Sequence, residues 1–313
     1  MYISICITTK NRPEEISVFL ESLIFLDYKK YELVVVDSST TQDSSAVIDS
    51  FRQENPNSKV KYVYKQCSID EGYFEAANLS TGEFIWFFSD DDVLLPFAID
   101  VLHTMLSKTP LDFLVINSSL YSSNLSKCES FARIDYSKEK SGIVYNMNSL
   151  GELFGEVHGI LGYIACILLS RSLFNSYLIN HDKVAFSKYF HHLHYVFSTN
   201  FKSNSSIKWK ILWTPLFITR MNSNSWASNY LYIWGIDFQE TCRALINISD
   251  DMICKNGLKG NNCKARFLLG SLFHKRGADK FSDYVKKAKC SKLFLLFWII
   301  YRATKILKNI KKS

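Results

Sequence analysis

Three carboxylates in a row, Asp90, Asp91 and Asp92, are the residues of this chain best suited to chemistry. Adjacent like charges repel by roughly 1 kcal/mol per pair or more where water is partly excluded. A hard divalent cation relieves that repulsion, and Mg²⁺ typically takes one or two carboxylates and completes its shell with substrate phosphates. The triplet follows a continuous apolar run, Phe84 to Phe88, and precedes a second apolar patch closed by Pro96. A run of that length fits a strand buried on both faces, as in a parallel sheet covered by helices. An acidic triplet in other surroundings is often a solvated turn. The apolar flanks and the strand-end position favour a metal–diphosphate site instead, with Mg²⁺ or Mn²⁺ expected on Asp90 and Asp92.

The elements that must position the triplet can be read upstream. Tyr2 to Thr8 is an apolar, β-branched strand, and Thr9-Lys-Asn-Arg-Pro13 turns into a helix whose first turn carries Pro13, Glu14 and Glu15. Ile16, Phe19, Leu20, Leu23 and Ile24 recur at helical spacing. Strands are expected at Glu32–Val36, Val60–Tyr64, Phe84–Phe88 and Phe113–Asn117. Helices are expected at Asp43–Gln53, Asp70–Leu79 and Pro96–Leu106. This alternation means βαβ units and a parallel sheet, in which ligands collect at the carboxyl ends of the strands. Three polar strand ends should therefore meet: Thr8 to Arg12, Asp37 to Thr41, and Ser89 to Asp92.

Ser4-Ile-Cys-Ile-Thr-Thr-Lys-Asn-Arg-Pro13, Glu32-Leu-Val-Val-Val-Asp-Ser-Ser39 and Ser80-Thr-Gly-Glu-Phe-Ile-Trp-Phe-Phe-Ser-Asp-Asp-Asp92 together resemble a family 2 glycosyltransferase. The similarity spans Met1 to Tyr121 and is nearest in pattern to the abequosyltransferase-like branch of O-antigen and capsule enzymes. The resemblance implies a GT-A fold, Rossmann-like and α/β, with a mostly parallel sheet and helices on both faces. It also implies that Thr8, Thr9, Asn11 and Arg12 line the nucleotide, with Ser39 beside them. Asp37 would bond the base or ribose, and Asp70 would lie near the base. Asp90 and Asp92 would form the Asp-x-Asp pair, Asp92 as the direct metal ligand, with Asp91 among the catalytic residues. Neither a Gly-x-Gly-x-x-Gly nor a Gly-Lys-Ser/Thr loop is present, which speaks against dinucleotide or P-loop binding.

Residues 122–147 are polar and read as a long loop or a short hairpin at the sheet edge. Gly159 to Ser170 is apolar again, and Arg171 opens a helix, as in the acceptor half of a GT-A enzyme. Family members commonly carry a carboxylate pair further on as the base for the acceptor hydroxyl. This chain has Phe190-His-His-Leu-His194 there, and no Asp or Glu from Lys183 to Trp226. A neutral imidazole is a competent general base near pH 6.5, so His191 and His192 are the candidates. The plainer alternative is a set of histidines that pack or cap beside aromatic rings. Arg220 could grip phosphate through its fork of donors, and Trp226 could stack on a sugar ring. Equally, Arg220 could be an edge-strand surface residue and Trp226 core.

Of the formal net charge of +7, more than all lies in the last stretch: Tyr284 to Ser313 holds nine Lys or Arg and no acid. These frame Leu293 to Ile300, eight apolar residues, against the ~20 that a spanning helix needs. Such a segment suits a membrane interface with anionic lipid, whereas single-stranded nucleic-acid binders interleave their aromatics with the basic groove. A buried oligomer helix is the alternative. The eight cysteines form no Cys-x-x-Cys pair and the start lacks a basic leader, so a reduced, cytoplasmic setting is expected.

The expected organisation is a GT-A domain over 1–225, with a nucleotide-sugar half at 1–121 and an acceptor half at 122–225. A helical C-terminal region follows over 226–313, with its membrane tail near 284–313. The expected function is metal-dependent, inverting transfer of a sugar from a nucleotide-diphosphate sugar to a polyprenyl-diphosphate-linked glycan in O-antigen or capsule synthesis. The setting would be peripheral, on the cytoplasmic side of a bacterial inner membrane. Two other classes fit parts of the pattern. A sugar nucleotidyltransferase would show a Gly-rich basic loop after its first strand, and Thr8-Thr-Lys-Asn-Arg12 has no glycine. A non-catalytic glycan- or lipid-binding module would follow if the missing carboxylate base meant lost activity.

Overall fold

A computed structural model of the chain describes residues 1–41, 43–134, 142–146, 157, 160–180, 190–197, 207–220 and 241. The chain divides into two compact units, Met1–Asn224 and Ser225–Ser313. Nearly all described residues belong to the first unit; Trp226 and the basic tail lie outside the described residues.

The first unit alternates as expected. It runs β1 (Ile3–Thr9), α1 (Pro13–Leu23), β2 (Tyr31–Asp37), α2 (Asp43–Glu54), β3 (Val60–Tyr64), α3 (Ile69–Leu79) and β4 (Phe84–Ser89). A two-residue strand β5 (Val93–Leu94), α4 (Ala98–Lys108) and β6 (Phe113–Tyr121) follow. The remainder comprises β7 (Cys128–Ser130), β8 (Tyr145–Asn146), a 3₁₀ turn (Ile164–Cys166), β9 (Ile167–Ser170), α5 (Arg171–Asn180), α6 (His191–Phe197) and β10 (Lys208–Arg220). The order across the sheet is β3-β2-β1-β4-β9-β6-β10-β5, with β7 on β6 and β8 on β10.

β3, β2, β1 and β4 are parallel to one another. Beyond β4 the sheet is mixed: β9 runs antiparallel between β4 and β6, and β10 runs parallel to β6. The polar stretch after β6 includes a hairpin, because β7 pairs antiparallel with β6.

Alternation along the strands sorts the two faces, since successive side chains point to opposite sides. Ile3, Ile5, Ile7, Leu33, Val35, Trp86 and Phe88 pack with Phe19 and Leu20 of α1, Ile48 of α2 and Leu102 of α4 in one core. The in-between residue Phe87 faces the other layer, meeting Tyr73 of α3 at 5.8 Å and Tyr195 of α6 at 5.4 Å between ring centroids. Trp86, Phe87 and Phe88 have no solvent exposure, and cutting any one to alanine should cost about 3–5 kcal/mol. Local signals place the helices as well. Pro13 sits in the first turn of α1, and Ser68 and Glu71 form a reciprocal capping box at the start of α3.

Candidate functional site

The three polar strand ends meet at the carboxyl edge of β1, β2 and β4. Thr9 ends β1 opposite Asp37 of β2, and Thr8 lies opposite Ser89 of β4. From that register the turn after β1 reaches both neighbours. Thr9 Oγ1 donates to Asp90 Oδ2 at 2.8 Å. Arg12 spreads its fork over two carboxylates, Nη1 to Asp90 Oδ1 and Nη2 to Asp91 Oδ2, each at 2.8 Å. Asn11 takes φ 54°, in the left-handed region that asparagine tolerates better than most residues. That conformation aims its backbone N–H at Ser39 Oγ (2.8 Å) and lets its side-chain Oδ1 accept from the backbone amide of Thr40 (2.7 Å). Asp37 accepts from the amide of Ser39 at 2.7 Å and from the Tyr62 hydroxyl at 2.9 Å.

The aspartate triplet is buried, with Asp90, Asp91 and Asp92 between 3 and 6% exposed. Burial first, and then the neighbouring Asp91, push the Asp90 carboxyl up to about 7, against the opposing pull of Arg12. The same two causes hold Asp92 well above the usual carboxylate range. Arg12 feels the converse. Burial disfavours its charge, but Asp90 and Asp91 outweigh that and hold it protonated.

The three acids are not equivalent. Both oxygens of Asp90 are engaged by Thr9 and Arg12. Asp91 is taken by Arg12 and the Ser89 hydroxyl. Asp92 accepts from the backbone amide of Arg220 at 3.3 Å, which leaves lone pairs on its second oxygen. Among the described residues, no group of three or more His, Cys, Asp or Glu gathers as a metal cage. The donor set nevertheless suits Mg²⁺ or Mn²⁺: buried hard oxygens held close against their own repulsion, for an ion that draws the rest of its shell from phosphate and water.

A family profile described as "Glycosyl transferase family 2" matches residues 4–176. The chain belongs to this family. The matched span runs from β1 into α5 and includes the whole aspartate site, while His191, His192, Arg220 and Trp226 lie beyond it. Solved structures share the fold. The TarS 1–349 fragment of S. aureus in complex with UDP-GlcNAc superposes with a TM-score of 0.55 at 17% identity, covering 96% of this chain and 79% of that one. The mannosyltransferase PcManGT of Pyrobaculum calidifontis, in complex with GDP-Man and Mn²⁺, gives 0.53 at 10% identity, covering 99% and 87%. No curated protein sequence matches the chain.

The remaining candidates of this family 2 domain fall in different settings. Thr8 lies under α3, so close that a β-carbon on Gly72 would sit 2.6 Å from its Cγ2. Arg220 ends β10, its Nε bonded to the carbonyl of Asp91. Asp70 and His191, 121 positions apart, form a buried pair with Asp70 Oδ1 and His191 Nδ1 at 2.7 Å. His191 stacks on Tyr73 at 5.0 Å, and its Nε2 is buried without a hydrogen bond. His192 is fully buried with Nε2 at 2.8 Å from the carbonyl of Leu161. Burial first, then His191, lowers the His192 ring to about 3, so it stays neutral and donates to that carbonyl.

Three site residues went unnoticed in the sequence. Tyr62 ties β3 to Asp37. Gln66 donates to the carbonyls of Ser38 and Ser39, at 3.2 and 2.8 Å, and steadies the loop after β2. The charge of Arg133 favours the ionised form of Asp92, against the effect of burial. Tyr62 follows the strand's alternation, but Gln66 and Arg133 sit in irregular backbone that no periodicity marks.

Proposed function

We propose that the protein transfers a sugar from a nucleotide-diphosphate donor, with Asp90, Asp91 and Asp92 at the diphosphate. The observation that carries this reading is the Thr9–Asp90–Arg12–Asp91 network, built by the ends of β1 and β4 in a family 2 domain. The turn from Thr8 to Arg12, with Asp37 and Ser39 opposite, would hold the nucleoside. Asp92 has the lone pairs for Mg²⁺ or Mn²⁺, with Asp90 alongside it. Such an ion, when bound, would supply Lewis-acid neutralisation of the departing diphosphate. Arg12 bridges Asp90 and Asp91 and fixes their positions, and Arg220 locks the backbone of Asp91.

Inversion requires a base on the acceptor side. Asp70 orients His191 through Nδ1 and leaves Nε2 as the proton-accepting atom, whereas His192 is committed to Leu161. We assign the base to His191. The assignment of Asp70 to the nucleobase gives way, in this reading, to its bond with His191.

The donor can be found by thermal shift of the full chain with UDP, GDP, CDP and dTDP, each with and without Mn²⁺. One diphosphate should raise Tm only together with the metal. A flat response across the panel would overturn the reading.

The acceptor would be a lipid-linked glycan of surface-polysaccharide synthesis, as the abequosyltransferase-like motif pattern and the basic tail suggest. In this reading residues 1–225 form the catalytic domain, residues 226–313 a helical region, and Trp226 stacks on a sugar ring. Among the described residues no helix is long and apolar enough to cross a membrane. The tail should instead carry the protein to anionic liposomes, each Lys or Arg adding about 1 kcal/mol near the surface. Truncation before Lys286 should release it, and equal sedimentation of both forms would exclude the tail as the anchor.

A further inference from the structure

Asn117 of β6 is fully buried and ties three segments together. Its Oδ1 accepts from the amides of Ser118 (2.9 Å), Arg133 (3.0 Å) and Ile134 (2.9 Å). Its Nδ2 donates to the carbonyls of Ile134 (3.1 Å) and Trp213 (2.7 Å). The last contact falls where the pairing of β10 with β6 shifts between Leu212 and Phe217. Pro215 lies inside that interval and has no N–H for a ladder. The amide of Asn117 thus replaces ladder bonds that the strands cannot make, and it pins Arg133 as it does so. The amide of Arg133 also donates to the carbonyl of Ser118 at 2.9 Å.

The Arg133 side chain is fixed from the other side by Tyr163, with its Cζ 3.6 Å from the ring centroid. The Arg133 backbone is bonded to Ser118, whose Oγ accepts from Thr219 Oγ1 at 3.2 Å. The next residue along β10, Arg220, donates its backbone amide to Asp92 Oδ1 at 3.3 Å, so Arg133 stands on the strand edge that meets the aspartates. Its Nη1 is buried and makes no hydrogen bond. The Arg12 fork, by contrast, is spread over Asp90 and Asp91, and Arg220 Nε is held by the carbonyl of Asp91. A stacked guanidinium loses little freedom when it meets an oxyanion, and it offers planar donors that match phosphate. Burying an N–H without an acceptor is unfavourable unless a ligand supplies one.

We propose that Arg133 is a phosphate-binding residue of this site, positioned by Asn117 and Tyr163 to take phosphoryl oxygens beside Asp92. The inference rests on the reading that the aspartate cluster handles a nucleotide diphosphate. Phosphoryl oxygens could come from the donor diphosphate or from a phosphorylated acceptor, and the test separates the two.

The full chain is titrated calorimetrically, with Mn²⁺ present, against the nucleoside diphosphate that binds the wild type and against the matching nucleoside. Arg133→Gln should weaken the diphosphate about tenfold or more, the usual loss for a charge-assisted hydrogen bond. Nucleoside binding should not change, and Arg133→Lys should recover part of the loss. That pattern assigns the donor as the source. If diphosphate affinity holds but the variant no longer binds pyrophosphate when saturated with nucleotide, the source is the acceptor. Wild-type affinity for both ligands, or equal weakening of nucleoside and diphosphate, overturns the proposal. Should Arg133→Gln fail to fold, Tyr163→Leu removes the stack alone and should weaken the same ligand about threefold; no change would overturn the proposal. A wild type that binds no diphosphate at all would instead defeat the functional reading beneath it.

Discussion

At the amino ends of the parallel strands Glu32 accepts from Ser4 Oγ at 2.7 Å, from the Thr81 amide at 2.5 Å and from Thr81 Oγ1 at 2.8 Å. Lys61 adds an ion pair at 3.0 Å. These partners overcome the effect of burial and lower the Glu32 carboxyl to about 2. At the carboxyl ends of the same strands burial wins, and Asp90 rises to about 7. Both sites are buried and both are hydrogen-bonded. They differ in charge balance, because Glu32 stands alone among donors, whereas Asp90 and Asp92 each lie beside another acid.

The amino end is also closed sterically. A β-carbon on Gly82 would meet Ser4 Oγ at 2.5 Å, Ser4 N at 2.7 Å and Tyr2 O at 2.8 Å. Arg171 seals the same corner, donating to the carbonyls of Ala77 at 2.7 Å and Gly82 at 3.1 Å. The amino end is closed on itself, whereas the carboxyl end holds two acids whose burial their partners do not offset.

The sharpest test of that contrast is Asp92→Asn. At the carboxyl end the change removes a lone-pair donor and relieves repulsion, so transfer should fall about a thousandfold while Tm holds or rises. Glu32→Gln should do the reverse. It should leave turnover within about twofold and cost about 1–3 kcal/mol, since donors fixed for a carboxylate lose their partner. Steady-state kinetics and urea unfolding on both variants would break the contrast if either showed the other's signature.

Asp70 sharpens it further, because it is a paired acid in the helix that follows the carboxyl end of β3. If its bond to His191 orients a base, His191→Ala should cost about a hundredfold or more in turnover with nucleotide binding unchanged. If the pair is structural in the manner of Glu32, the variant should lose stability and keep its turnover. Single-turnover rates and Tm, measured together, separate the two.

The carboxyl-end site was legible because parallel strands have a fixed direction. Once βαβ alternation is read, Thr8 to Arg12, Asp37 to Thr41 and Ser89 to Asp92 must share one edge, and they do. Even the element limits moved little, as with Val60–Tyr64 and the start of α1 at Pro13. What stayed hidden depends on partners that no local pattern names. β9 (Ile167–Ser170) slots antiparallel between β4 and β6, although it follows both in sequence. The Asp70–His191 pair and the Asn117–Arg133 tie are likewise set by tertiary packing. Glu32 read as an ordinary strand residue, because its role depends on Thr81 and Lys61 arriving at the same corner.

The smallest effects, and the most direct reading of the charge balance, lie in the pH dependence of stability without metal. Glu32 has a folded value below its unfolded one, about 2 against 4.5. Its contribution is therefore complete above pH 4.5 and drains away as pH falls towards 2. Asp90 has the opposite sign, with about 7 in the fold against 3.8 outside it. Between those values the folded protein holds a proton that the unfolded chain has released, so stability falls as pH rises through the window and then levels. Urea unfolding in a chelator from pH 2 to 8 should show both limbs in the wild type. Glu32→Gln should flatten the acid limb alone, and Asp90→Asn should reduce the slope between pH 4 and 7, leaving the share that the raised Asp92 contributes. If Asp90→Asn keeps the wild-type slope there, Arg12 compensates Asp90 as fully as Thr81 and Lys61 compensate Glu32, and the two ends are electrostatically alike.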